Sequence, residues 1–369
     1  MNILRSYSDG PYHVVFPTLL EEAPFLERFS SDETQLISQP ACWKNLARFK
    51  HLRYLSIDSD EELDDRGLKK IFSFTHLTEL CLFLGSPSIQ ISLPNAVHLP
   101  SLRSLVISAL PFVIDNVLHC LAHTPLSSMR ILYYPVKQGN DNPNGEQLWK
   151  SRLEQVLPWS ASLLHLEFRE RSPAMFEAQA ISILDPLLVI GRLESLTFLA
   201  PIGIDVTDED FRHMARCWPE LVNLDIDLRT SEHARPEATL ATLEAFATHC
   251  PRLRTLHLPL NLAHLPPVPL VSTHPLEELY ISYVASSDPS LLARYLDALF
   301  PYLYSLRGHP QCEMSMLHQI KGENGNGDDN GNIDQNRGRW QQVTRILKTC
   351  QAVRQHYRQR SNGYISGLI

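Results

Sequence analysis

Several features that define whole classes of proteins are missing from this 369-residue sequence. No apolar run approaches the roughly 18 residues of a membrane-spanning helix, and the mixed first twenty residues lack the apolar core of a signal peptide. The seven cysteines are odd in number and scattered, no C-x-x-C occurs, and no N-x-S/T glycosylation sequence is present. We therefore expect a cytoplasmic or nuclear protein with no membrane partner and no disulfide framework.

Signatures of catalysis and metal binding are equally scarce. The patterns G-x-S-x-G, H-E-x-x-H and G-x-G-x-x-G are absent, as is the P-loop, so we predict a protein that is not an enzyme and has no cofactor. The local histidine–cysteine groups, in residues 119–123 and 309–318, fall short of the four ligands of a structural zinc. Residues 326–337 follow the EF-hand calcium loop, but Arg337 replaces its bidentate glutamate, so no metal site is predicted.

A repeated apolar-x-x-apolar-x-apolar pattern, mostly of leucine, runs through the chain. The clear copies are Leu52–Leu55–Ile57, Leu77–Leu80–Leu82, Leu102–Leu105–Ile107, Leu193–Leu196–Phe198, Leu221–Leu224–Ile226, Leu253–Leu256–Leu258 and Leu276–Leu279–Ile281. The weaker copies are Leu26–Phe29–Ser31, Leu126–Met129–Ile131, Leu163–Leu166–Phe168 and Leu303–Leu306–Gly308. Their first leucines recur about every 28 residues, which is the spacing of leucine-rich repeats.

Each copy follows a segment with helical periodicity, such as Leu292 and Leu296. Prolines such as Pro251 stand just before the strand leucine, where they end the helix. Thr207 and Asp210 form the pattern of a capping box at a helix start. The sequence therefore predicts an α/β leucine-rich-repeat solenoid of about eleven irregular repeats, with a curved parallel sheet on the concave side and helices on the convex side.

Composition divides the chain into three predicted parts. Residues 1–320 form the leucine-rich-repeat domain, residues 321–338 a low-complexity flexible linker, and residues 339–361 a basic amphipathic helix. The net charge is −8, yet residues 337–360 hold seven positive charges and no acid. This helix could bind nucleic acid or an acidic surface, but we favour a cap on the open end of the solenoid or an unattached tail.

Two segments have the character of one known family: residues 206–211 (VTDEDF) with 218–221 (WPEL), and residues 248–258 (THCPRLRTLHL). Through them, residues 20–308 resemble the leucine-rich-repeat half of fungal F-box/leucine-rich-repeat proteins, notably the mushroom type. The resemblance implies a substrate-recognition part of an F-box-type ubiquitin-ligase receptor. The chain has no L-P-x-E-[IL] start of an F-box and opens in mid-repeat, so we expect a missing N-terminal portion and a Skp1-type adaptor only if an F-box lies upstream.

The concave strand face is the default binding surface of such a solenoid. Strand alternation places on it the predicted partner-binding residues His165, Glu167, Arg169, Asn223, Asp225, Asp227, His257, Glu278 and Tyr280. Their carboxylates suit a basic or polar protein of unknown identity. The sequence thus predicts a non-catalytic protein–protein interaction module. Its alternatives are a stand-alone scaffold without a ligase role, a nucleic-acid binder using the basic helix and, least supported, an enzyme.

Overall fold

The computed structural model of the protein describes most of the predicted repeat region. The described residues are 3–6, 22–31, 46, 48–59, 65–85, 97–134, 145–170, 176–177, 181–200, 202–203, 206–228, 237–262, 271–281, 288–308, 338 and 340–356. The chain forms two compact units. Unit 1 comprises Met1–Ala178, Ser182–Leu193 and Thr197–Pro201, and unit 2 comprises Gln179–Ile181, Glu194–Leu196 and Ile202–Ile369.

The strands of unit 1 pair in parallel, each with the next along the chain. They are Ile3–Ser6 (β1), Arg28–Ser31 (β2), Tyr54–Ser59 (β3), Glu79–Leu84 (β4), Ser104–Ala109 (β5), Ser128–Tyr133 (β6) and His165–Glu170 (β7). The short strand Phe176–Glu177 (β8) follows, and Ser195–Ala200 (β9) lies at the division between the units. The helices of unit 1 are Asp65–Ile71 (α1), Pro111–Leu121 (α2), Gly145–Glu154 (α3) and Asp185–Leu188 (α4), with 3-10 turns at Leu157–Trp159 and Ile181–Leu184.

Unit 2 repeats the same arrangement. After the short strand Ile202–Gly203 (β10), its parallel strands are Asn223–Leu228 (β11), Thr255–Leu258 (β12), Glu278–Ile281 (β13) and Ser305–Gly308 (β14). Its helices are Asp208–Cys217 (α5), Leu240–His249 (α6) and Pro289–Leu299 (α7), followed by a helix over residues 340–356 (α8). The α/β class and the open parallel arrangement predicted from the sequence are therefore confirmed.

Strand alternation builds the core of each unit. In β3, Leu55 and Ile57 are 0% and 1% exposed. Tyr54, the first residue of the strand, is only half-buried. The strand leucines meet their counterparts in register, for example Leu55 opposite Leu80 in β4. Each fully buried aliphatic side chain contributes about 1.5–3 kcal/mol to folding. The repeated leucines are thus the buried face of the sheet, and the residues between them form the other face.

The prolines mark a recurring turn between helix and strand in unit 2. Helices α5, α6 and α7 are followed by the C-cap residues Trp218, Cys250 and Phe300, which are fully buried and directly precede prolines. Each of these residues donates its N–H to the carbonyl four residues earlier, and its own carbonyl accepts from the strand leucine three residues later at 3.0–3.2 Å. Proline cannot continue the helix, so the chain leaves it at the same point each time.

A second recurring feature is the main-chain carbonyl of the residue directly before a strand. We call it the junction carbonyl. Each accepts hydrogen bonds of 2.8–3.2 Å from two consecutive N–H groups of the next repeat. The junction carbonyls are those of Glu27, Arg53, Thr78, Arg103 and Ser127 in unit 1 and of Glu194, Val222, Arg254 and Glu277 in unit 2. Because a carbonyl oxygen has two lone pairs, it can satisfy both donors. Successive repeats within each unit are therefore joined in the same register.

Helix starts in unit 2 carry the predicted caps. Thr207 accepts from the N–H of Asp210 and the carboxylate of Asp210 accepts from the N–H of Thr207, completing a capping box. Asp288 caps α7 by accepting from the N–H groups of Ser290 and Leu291. An extra contact joins two helices, because the carboxylate of Asp208 in α5 accepts three hydrogen bonds from the start of α6.

The basic helix α8 packs against the last repeat of unit 2. Val343 and Leu347 are each 2% exposed. Gln351 donates to the carbonyl of Leu303 at 2.6 Å, and Arg354 donates to both the carbonyl and the carboxylate of Asp297. The helix therefore contacts α7 and the turn before β14, and its role as a cap stays a prediction. The linker predicted over residues 321–338 falls outside the described residues except at residue 338.

Candidate recognition surface

The strand face opposite the buried leucines carries most of the polar side chains predicted to bind a partner. Parallel pairing sets them in rows. In unit 1 one row runs through Cys81, Val106, Arg130 and Glu167. In unit 2 one row is Asn223, Thr255, Glu278 and Ser305, and the next is Asp225, His257, Tyr280 and Arg307. We call these surfaces the unit 1 face and the unit 2 face.

The first strands of the unit 1 face hold an arginine clamped by an aromatic ring and a carboxylate. The guanidinium carbon of Arg28 lies 3.9 Å from the centre of the Tyr54 ring, and its two terminal nitrogens donate to Glu79 at 3.3 and 3.5 Å. Burial is the main cause that raises the pKa of the Tyr54 hydroxyl and of the neighbouring Cys81 thiol. Cys81 therefore stays a neutral thiol and is a poor nucleophile.

The last strand of the unit 1 face contains three of the predicted residues. Glu167 accepts from Arg130 on the adjacent strand at 2.6 Å and also pairs with Arg169 two residues along its own strand. The Glu167 side chain is more buried than either arginine: it is 15% exposed, compared with 54% for Arg130 and 46% for Arg169. His165 is exposed at the start of the strand. The geometry thus unites Glu167 with Arg169 and leaves a net positive, exposed pair of arginines.

The unit 2 face has a histidine–aspartate pair. Nδ1 of His257 donates to Oδ1 of Asp225 at 2.5 Å, across the register position that joins β11 to β12. The histidine side chain is 8% exposed and the aspartate side chain 35%. The ring of Tyr280, on the next strand, lies 6.0 Å from the His257 ring. The buried imidazole thus fixes a carboxylate whose other edge faces solvent.

A second carboxylate of the unit 2 face is held by two tyrosines. Glu278 accepts from the hydroxyl of Tyr280 on one oxygen and from that of Tyr304 on the other, both at 2.8 Å. Burial and then this carboxylate raise the pKa of Tyr280, whereas the hydrogen bond to Glu278 is the main cause for Tyr304. Both phenols therefore stay neutral donors. The side chain of Glu278 is fixed while its charge remains on the face.

Tyr304 is a residue that the sequence analysis missed. It stands just before β14 and is 60% exposed. Its main-chain N–H donates to the junction carbonyl of Glu277, so its position matches that of Arg254 two repeats earlier. The signal that could have found it is this position, which directly precedes each strand and borders the face.

The remaining predicted residues differ in accessibility. Asn223 is exposed at the start of β11, whereas Asp227 in the same strand is 8% exposed. A partner could therefore reach Asn223, Asp225, Glu278 and Tyr280, but little of Asp227. That any of these residues binds a partner stays a prediction.

Two absences hold for the described part of the chain, one of a metal-binding cluster and one of a membrane-spanning helix. Within it, no three histidine, cysteine or acidic side chains come close enough together to hold a metal ion. Residues 326–337, which follow the calcium-loop pattern without its glutamate, lie outside the described residues. So does the histidine–cysteine group of residues 309–318. None of the helices that the structure describes combines the length and apolar character needed to cross a bilayer. Among the cysteines that the structure describes, no disulfide bond is formed; they are Cys81, Cys120, Cys217, Cys250 and Cys350.

Comparison with known proteins adds no relative. No protein-family model matches the chain, and no curated protein is similar enough to it to count as a match.

Proposed function

We propose that this protein is a non-catalytic protein-recognition module built as a leucine-rich-repeat solenoid. The repeat spacing supports this class. In unit 1 the strands that start at Arg28, Tyr54, Glu79, Ser104 and Ser128 follow one another at steps of 26, 25, 25 and 24 residues. Leucine-rich repeats have periods of about 20–29 residues, each with one strand and one helical segment. The junction carbonyls recur with these repeats, and the proline turns recur with the repeats of unit 2, which supports units that stack on their neighbours.

The observation that carries the recognition role is the fixed pair of carboxylates on the unit 2 face. Asp225 is held by His257, and Glu278 is held by Tyr280 and Tyr304, so neither side chain must be ordered when a partner binds. Preorganised groups cost less conformational entropy on binding. Charged groups on an exposed face also steer partners of opposite sign. The partner that fits is therefore a protein segment rich in arginine or lysine.

The resemblance to fungal F-box proteins extends the proposal to the substrate-recognition part of a ubiquitin-ligase receptor. Its test is co-purification of a Skp1-type adaptor with the product of the full gene in its native cell. Recovery of the adaptor in a stoichiometric complex would support the ligase role. If the full gene product never binds it, the protein is a stand-alone recognition scaffold.

Photo-crosslinking tests the location of the surface. A photoreactive amino acid replaces Arg307, which is exposed and lies beside Tyr280 in the same row of the unit 2 face. The control places the same group at Glu209, whose side chain is 68% exposed on helix α5. We expect discrete crosslinked partners from position 307 that are lost at 0.5 M salt and absent from position 209. Identical products from both positions would contradict a specific surface.

Charge-neutralising variants then test the chemistry with the captured partner. Asp225→Asn and Glu278→Gln keep the shape and hydrogen-bonding oxygen of each side chain but remove its charge. Each exposed ion pair is worth up to about 1 kcal/mol, so each variant should weaken binding about 3- to 5-fold. Glu209→Gln, the matched control, should leave affinity unchanged. Equal binding by all variants would refute the charge-based recognition.

A further inference from the structure

Unit 1 encloses a group of polar side chains at the carboxyl ends of its strands, which we call the buried polar cluster. It consists of Asp115 in α2, Tyr133 at the end of β6, Arg152 in α3, Gln155 just after α3, and Glu170 at the end of β7. Arg152 is 4% exposed and Tyr133 2% exposed. None of these residues belongs to the unit 1 face. Charged side chains this deeply buried need partners for all their polar atoms.

Arg152 is fixed at the centre of the cluster. Its Nη1 donates to Glu170 at 3.1 Å, and its guanidinium carbon lies 4.5 Å from the centre of the Tyr133 ring and 5.0 Å from the Trp149 ring. Trp149 also packs edge-on against Tyr133, with ring centres 5.8 Å apart. The arginine therefore cannot turn away to find solvent for its remaining N–H groups.

Four buried polar atoms of this cluster have no hydrogen-bond partner among the described residues. They are Oδ1 of Asp115, the hydroxyl of Tyr133, Nε of Arg152 and Oε1 of Gln155. Leaving one such group unpaired in a protein interior costs free energy comparable to a lost hydrogen bond. Four of them on neighbouring side chains point to a missing molecule that all four share.

The unpaired atoms divide into two donors and two acceptors. Arg152 offers an N–H, and Tyr133 offers an O–H because burial raises the pKa of its phenol well above the usual value. Asp115 offers a carboxylate oxygen. Gln155 already hydrogen-bonds Asp115 through its side chain, which assigns its NH₂ to that contact and leaves its carbonyl oxygen as an acceptor.

A small neutral molecule with two donors and two acceptors complements this set. The cluster already contains a cation and two carboxyl groups, so an added anion would meet Asp115 and Glu170, and an added cation would meet Arg152. Buried waters make about two to four hydrogen bonds to polar groups that otherwise lack partners. We propose that the buried polar cluster is a binding site for one internal water, which accepts from Arg152 and Tyr133 and donates to Asp115 and Gln155.

The proposed water site connects three elements that the hydrogen bonds between strands do not connect. The water links α2, α3 and the end of β6, whereas the direct ion pair links α3 to the end of β7. In unit 1, the carboxyl ends of two strands are thus tied to two helices by one hydrogen-bonded network.

Tyr133→Phe tests the proposal by the sign of its effect. With the water present, the variant removes one of its hydrogen bonds, so the urea midpoint of unfolding falls. Without the water, the variant removes an unpaired buried hydroxyl, so the midpoint rises or stays unchanged, and either result overturns the proposal. Tyr134→Phe, at the half-buried neighbouring position, is the matched control and should leave the midpoint unchanged.

A direct measurement keeps the test independent of variant folding. A crystal structure of the wild-type protein at a resolution better than about 1.5 Å should show a single peak within hydrogen-bond distance of all four atoms. A dry cluster, or side chains rearranged to pair with one another, would overturn the proposal.

Discussion

The buried imidazole of His274 should make the stability of unit 2 depend on pH. The residue is 4% exposed. Its Nδ1 accepts from the N–H of Leu276 at 3.2 Å, and its Nε2 lies 2.8 Å from the carbonyl oxygen of Cys250. A carbonyl only accepts, so Nε2 carries the proton and the ring is neutral. Both nitrogens are thereby used, and a second proton on Nδ1 would break the bond to Leu276.

The direction of the pH effect follows from burial. Burial lowers the pKa of His274 below its ordinary value of 6.5, although the hydrogen bond to Cys250 acts in the opposite sense. Below pH 6.5 the unfolded chain takes up a proton at this residue while the folded chain does not, so acid favours unfolding. The contribution to stability is complete above pH 6.5 and is lost as pH falls toward the folded pKa, by at most about 1.4 kcal/mol per pH unit.

The test compares wild type with His274→Leu by urea unfolding between pH 8 and pH 5.5. At pH 8 the variant leaves the Leu276 N–H without its acceptor and removes one of the two hydrogen bonds to the Cys250 carbonyl, which still accepts from Leu253. The free energy of unfolding should therefore fall by about 1–3 kcal/mol. That difference should shrink as pH falls below 6.5, because only the wild-type unfolded state gains a proton there. His98→Leu, at an exposed position, should change the free energy by less than about 0.5 kcal/mol. A His274 difference that stays constant or grows in acid would refute the reasoning.

Three further substitutions test contacts within the units. Asp208→Ala removes three hydrogen bonds to a carboxylate and should lower the free energy of unfolding by about 3 kcal/mol in urea titrations, whereas Glu209→Ala should change it by less than about 0.5 kcal/mol. Trp159→Phe loses the buried 2.8 Å bond from the indole N–H to a carbonyl and should cost about 1–3 kcal/mol by the same assay. Asp297→Ala leaves Arg354 without its carboxylate, so amide hydrogen exchange in α8 should become faster; unchanged exchange would show that the apolar contacts alone hold the helix.

The features that could be predicted from the sequence are those encoded within a few residues. Leu55 and Ile57 repeat with the two-residue period of a strand, and both are buried. The capping box of Thr207 and Asp210 spans three residues and is present in the structure. Each depends on neighbours along the chain, so the pattern itself indicates the contact.

The features that could not be predicted depend on residues far apart in sequence. Nothing near Arg152 distinguishes it from an exposed helical arginine, yet it is buried beside Glu170, 18 residues away. Glu278 and Tyr304 are 26 residues apart, and their contact needs the register of β13 with β14. Asp227 follows the same alternation as Asp225 but is nearly closed to solvent, because burial at a strand end depends on what covers it.

The junction carbonyls constrain how the length of this protein can change. Because one oxygen binds two successive amides of the next repeat, adding or removing a single residue at that step would put the wrong amide opposite the oxygen and turn the leucines outward. An insertion after a strand leaves both bonds intact, as does duplication of one whole repeat. Natural variants of this chain should therefore differ by complete repeats or by post-strand insertions, and almost never by single residues at the junctions.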